Sequence, residues 1–164
     1  MRAVADLTLA VIGCGNVNRC DDGAGVAVIA RLRREFDGGL PPRVALFDAG
    51  TNGIDVMFRA RGAAALVIVD ACRSGSDAGA IFTLPASEVA TRHARSYSLH
   101  DFRWDHAIDA GRRIFGADFP ADVTAWLIEA GSLDLGLELT PPVAAAVEAV
   151  AARVAARIRA MPWT

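Results

Sequence analysis

The stretch from Leu7 to Arg34, LTLAVIGCGNVNRCDDGAGVAVIARLRR, constrains the fold more than any other, because it reads as a strand, a turn and a helix in succession. LTLAVI carries almost no polar residue, which suits a central strand covered on both faces, as parallel sheets require. Val26, Ile29, Leu32 and Phe36 recur at three-to-four spacing and share one helix face, with Arg31, Arg33 and Arg34 pointing elsewhere. Between strand and helix, Gly13 and Gly15 permit a tight exit, and Asp21 and Asp22 stand where the helix must begin.

Gly-x-Gly after a strand also suits a nucleotide-binding or redox module, but the charge opposes it. A pyrophosphate sits against the bare N–H groups of a helix start, and two carboxylates there repel it. Carboxylates suit a cation or proton chemistry better. The plain alternative is that Asp22 caps the helix and Asp21 favours its dipole.

With 164 residues, 53% of them hydrophobic, and a mean hydropathy of +0.31, residues 1–164 are expected to form one domain with a full core. A formal charge of -2 and a pI of about 5.9 leave no electrostatic footprint for nucleic acid. Cys14, Cys20 and Cys72 are odd in number and form no CxxC pair, which predicts reduced thiols in a cytoplasmic protein. MRAVADLTLAVIG lacks the length and cleavage site of a signal peptide, and no apolar run approaches the roughly 20 residues that span a bilayer. A soluble monomer without membrane or nucleic-acid partners is expected.

Further along, VALFD (Val44 to Asp48) predicts a second strand, and Ile54, Val56, Met57 and Phe58 a short helix ending near Gly62. The third strand, Ala64 to Asp70, is apolar until Asp70 at its last position. In an open parallel sheet functional groups collect outside the carboxyl ends of the strands where the strand order reverses. With the order 2-1-3, Asp22, Asp48 and Asp70 share one rim. CRSGSDAG is too short for a crossover helix, so Ala80 to Leu84 is expected to run antiparallel to strand 3. Phe102, Ala107, Ile108, Ala110 and Ile114 fit a helix that Ser98 caps and Gly116 ends, with His100 in its first turn. Ala121 to Glu129 is the last strand, leading to the loop EAGSLDLGLEL on the same rim. Thr140, Pro141 and Pro142 start a terminal helix with a capping hydroxyl, and its stripe is Val143, Val147, Val150, Val154 and Ile158.

Asp22, Asp70 and His100 are the groups this topology gathers: two hard oxygen donors and an imidazole, a set that suits a first-row divalent ion with coordination positions left open. For each residue alone a capping or surface role is the simpler reading; their joint placement carries the argument.

GCGNVNRCDDGAGVAVI resembles the GxGNxxxxDDGxGxxV opening of the nickel-iron hydrogenase maturation endopeptidases. FDAGTNGID is similar to their D-x-G-T segment, LVIVDA to their strand ending in Asp-Ala, SLHDF to their S-x-H segment, and IEAGSLDLGLELTPPVAAAV to their C-terminal stretch. The five segments match in order from residue 9 to about 158. The resemblance implies an α/β/α sandwich with a five-stranded mixed sheet in the order 2-1-3-5-4, strand 4 antiparallel. It implies an endopeptidase, aspartic-type by family grouping, that removes a C-terminal extension from a hydrogenase large-subunit precursor after nickel insertion. Carried over by position, the metal contacts are Asp22, Asp70 and His100, with Asp22 and Asp70 the candidate catalytic acids. Asp48, Gly50 and Thr51 of the D-x-G-T segment are candidate substrate contacts, Asp48 alternatively supporting its loop. Asn18, Cys14, Cys20 and Phe102 to Trp104 depart from the pattern, and His106 is an additional imidazole. Arg103 and Trp104 are read either as a docking surface or as a cover for the sheet edge. Nickel is expected to arrive with the precursor, with no tightly bound metal in the free protein. A chaperone that grips the precursor without cutting it is the alternative.

Overall fold

The computed structural model describes residues 6–85, 87–88 and 103–162. Five strands form one sheet in the order β2-β1-β3-β5-β4: β1 (Leu7–Cys14), β2 (Val44–Gly50), β3 (Ala63–Cys72), β4 (Ile81–Pro85) and β5 (Asp122–Glu129). All neighbours are parallel except β4, which pairs antiparallel with β5. The antiparallel direction follows from the short β3–β4 connection, but the hydrogen-bonded neighbour of β4 is β5, as the resemblance implies, and not β3. The four described helices of more than one turn are α1 (Ala24–Glu35), α2 (Gly53–Ala60), α3 (Trp104–Phe115) and α4 (Pro141–Ala160).

Alternation along the strands divides the core in two. Leu9 and Val11 of β1 and Val67 and Val69 of β3 pack with α1 and α4, whereas Ala10, Ile12, Leu66 and Ile68 pack with α2 and α3. β1 and β3 are therefore apolar on both faces, and each fully buried Leu or Ile contributes roughly 2 kcal/mol. The result is the expected three-layer α/β/α sandwich.

Several local expectations change. The buried face of α1 is Gly25, Val28, Ile29 and Leu32, so Val26 stands off it and is partly exposed. β3 runs two residues past Asp70, which places that carboxylate inside the strand end. The Thr140 side chain does not cap α4, because its hydroxyl is taken by Asp21. α3 begins at Trp104 with Arg103 at its N-cap, so Ser98 is not its cap and residue 100 precedes its first turn. Ser98, His100 and Phe102 lie outside the described residues. Ile114 is 64% exposed; the buried face of α3 is Trp104, Ala107, Ile108 and Gly111.

α1 approaches the sheet closely at its first turn. A Cβ on Gly25 would collide with the carbonyl oxygens of Val69 and Cys14, and one on Gly13 with the carbonyl of Gly25. Two facing glycines thus let the helix start sit directly on the ends of β1 and β3, and the turn carrying Asp21 and Asp22 is brought over Asp70.

Candidate active site

The β1–α1 turn separates its two acids. Asp21 is fully buried and accepts four hydrogen bonds from the far end of the chain: Gly131 N at 2.8 Å, Ser132 N at 2.9 Å, Thr140 N at 2.7 Å and Thr140 Oγ1 at 2.8 Å. Burial alone would raise its pKa, but these donors, those of Thr140 foremost, outweigh it and hold the carboxyl below its ordinary value. Asp21 is a latch between the turn and the 131–140 loop. Asp22 turns the other way. Its Oδ2 accepts Asn16 N at 2.9 Å, and its side chain lines a cleft of about 330 Å³.

Asp70 lines the same cleft from β3. It is buried; Oδ1 accepts its neighbour Ala71 N at 2.8 Å and Oδ2 accepts the Trp104 indole N–H at 2.9 Å, with Arg103 Nη2 at 3.7 Å. Burial is the main influence on its acidity, opposed first by the Arg103 charge and reinforced by Asp22, and together these push its pKa up to about 7. Gly15 lies between the acids: a Cβ there would clash with the Asp22 carbonyl and come within 3.6 Å of Asp70 Oδ1.

Cys14, Thr51, Asn52, Cys72, Arg73 and Leu133 complete much of the cleft wall. Burial first, then Asp70 and Asp48, raise the Cys14 pKa well above the ordinary thiol value, Arg103 acting the other way. Cys14 is therefore a neutral thiol and a poor nucleophile. Glu129 at the end of β5 is buried and pins the 73–76 turn: its carboxylate accepts Ser74 N at 2.9 Å, Ser74 Oγ at 2.8 Å, Gly75 N at 3.1 Å and Cys72 Sγ at 3.4 Å. Burial would raise its pKa, and these donors, led by Ser74, lower it instead.

Of the residues singled out from the sequence, Asp22 and Asp70 meet on one cleft, with Gly50 and Thr51 in its wall. Asp48 stands apart. Its Oδ1 accepts Gly50 N at 2.9 Å and supports the turn after β2, and the residue lines a neighbouring hollow of about 240 Å³ that shares Gly15, Gly50 and Thr51 with the cleft. His100 lies outside the described residues. Among the described residues, no three His, Cys, Asp or Glu side chains form a group able to hold a metal ion. His106 is not among the residues lining the cleft; its Nδ1 accepts Arg103 N at 3.1 Å. Trp104 is only 6% exposed, which removes it from any docking surface and places it against Asp70. The sequence did hold one signal for this, since a buried indole N–H needs an acceptor.

A family model described as HycI, hydrogenase maturation protease, matches residues 26–157. The chain belongs to that family. Among curated relatives of this hydrogenase maturation protease, the Hydrogenase 2 maturation protease of Escherichia coli is 29% identical, with 93% of this chain and 92% of the relative covered. The hydrogenase expression/formation protein HupD of Rhodobacter capsulatus is 31% identical over 92% of this chain and 70% of its own length. The solved structure of the hydrogenase maturating endopeptidase HybD from E. coli superposes with a TM-score of 0.77 at 26% identity, covering 93% of each chain. The role of this maturation protease is that of a processing endopeptidase, and its fold, with the sheet order 2-1-3-5-4, is similar to that of HybD.

Proposed function

We propose that this endopeptidase removes a C-terminal extension from the large-subunit precursor of a nickel-iron hydrogenase, and that nickel already held by the precursor is what the cleft recognises. The observation that carries this reading is the convergence of Asp22, from the turn between β1 and α1, and Asp70, from the end of β3, on one open cleft at the reversal of strand order. Two carboxylates supply part of a coordination shell. An ion already ligated by the precursor brings the rest, so the scissile bond is positioned only when the precursor is loaded. His100 is proposed as the third contact.

The two acids divide the work by their surroundings. Asp70 has a donor on each oxygen and is the rigid contact to the ion. Asp22 commits only Oδ2, to Asn16 N, and Oδ1 accepts no hydrogen bond from the described residues, which favours Asp22 as the base that takes the proton of the attacking water. That water adds to the scissile carbonyl, the C–N bond breaks, and the proton passes to the leaving amine. The protein acts in the cytoplasm as a monomer and holds no tightly bound metal of its own.

Mass spectrometry of a nickel-loaded precursor after incubation tests this. The protein is expected to release the C-terminal peptide, to leave the unloaded precursor intact, and to lose roughly 10²- to 10⁴-fold in rate in Asp22→Ala, with processing also abolished in His100→Ala. Cleavage retained by both variants would remove the site. An intact loaded precursor held in a stable complex would replace the protease with a non-cutting chaperone.

A further inference from the structure

The cleft holds a positive charge of its own at Asp70. Arg103 Nη2 and the Trp104 indole N–H both approach Asp70 Oδ2, at 3.7 Å and 2.9 Å. They are held very differently. Trp104 is buried as the first residue of α3, and its N–H makes a true hydrogen bond. The Arg103 backbone is fixed at the N-cap, its N–H donating to His106 Nδ1 at 3.1 Å and its carbonyl accepting Ala107 N at 3.0 Å. Its side chain, however, is 63% exposed, and 3.7 Å is too long for a hydrogen bond. The guanidinium therefore supplies charge without a tight bond, on a largely exposed stem.

Arg73 also lines the cleft, but Arg103 is the cation that reaches Asp70 among the described residues; without it, buried Asp70 would face Asp22 with no ion pair of its own. With it, any second cation entering the cleft meets repulsion. A singly charged side chain gains from Asp70 no more Coulomb energy than the guanidinium it displaces, whereas a divalent ion gains about twice as much at equal distance. We propose that Arg103 is the resting counter-ion of Asp70, displaced when a divalent ion enters the cleft, so that it sets the cation charge the site accepts. This rests on the reading that a precursor-borne nickel ion is the cation concerned, and it makes Arg103 a specificity-determining residue for loaded over unloaded precursor.

Calorimetric titration of the free protein with Ni²⁺ alone, at one fixed pH for every variant, tests it without any precursor. Arg103→Gln is expected to bind Ni²⁺ roughly tenfold more tightly than the parent, and Arg103→Lys, which keeps the charge, to stay near the parent value. Thermal unfolding of the three proteins checks that they are equally folded, as replacement of an exposed side chain predicts. Equal or weaker binding by Arg103→Gln, no binding by either protein, or equal tightening in Arg103→Lys overturns the inference. If the parent never cuts a loaded precursor, the proteolytic reading fails, and the titration still decides the role of Arg103.

Discussion

Asp21 and Asp22 are adjacent in the chain and opposite in consequence. Both were legible as acids at a helix start, but their division was not, because the partners that turn Asp21 inward lie 110 to 119 residues away. Asp21→Ala leaves four donors without their acceptor, three of them backbone N–H groups, and is expected to cost about 3 kcal/mol in urea unfolding. Asp22→Asn, with its single bond to Asn16, is expected to leave the unfolding midpoint nearly unchanged while processing is lost. Equal destabilisation by the two variants would contradict this assignment. The acidities of Asp21 and Glu129 also fix a sign for pH. Both are lowered in the folded protein, so the unfolded chain takes up protons first as pH falls. Their stabilisation is complete above the ordinary carboxylate range near pH 4 and is lost as pH drops through the folded values. Urea midpoints between pH 6 and pH 3 should therefore fall less steeply in Asp21→Asn than in the parent, and parallel curves would refute the linkage.

At the scale of single elements, the strands were read well because β1 and β3 are buried on both faces and carry uninterrupted apolar runs. The start of α3 was read poorly. Its first residue is fixed by the Trp104–Asp70 contact between a helix and a strand end, and periodicity holds no trace of a partner 34 residues away. Val26 stands off the buried face for a related reason: α1 meets the sheet through Gly25, a residue that hydrophobic spacing ignores. Gly25→Ala tests that contact directly. The new methyl would strike the carbonyls of Val69 and Cys14, so the helix start must lift off the sheet; a loss of about 1–3 kcal/mol is expected by thermal or urea unfolding, and unchanged stability would show that α1 has room to spare.

For the molecule as a whole, the sheet order placed the candidate site before any side chain was located, since the reversal beside β1 puts the β1 and β3 loops together. Composition and periodicity could not reveal the further arrangement by which Glu129 and Asp21 fasten the 73–76 turn and the 131–140 loop. Both are buried acids that face backbone amides and leave the cleft to Asp22 and Asp70. The Asp21 fastening also bears on how the protein is made. During synthesis the amides that lock Asp21 in place follow the turn itself by more than a hundred residues. A nascent chain that has not yet extended through Thr140 thus carries Asp21 without the amides that hold it, and the neighbouring Asp22 turn without its fastening to the 131–140 loop.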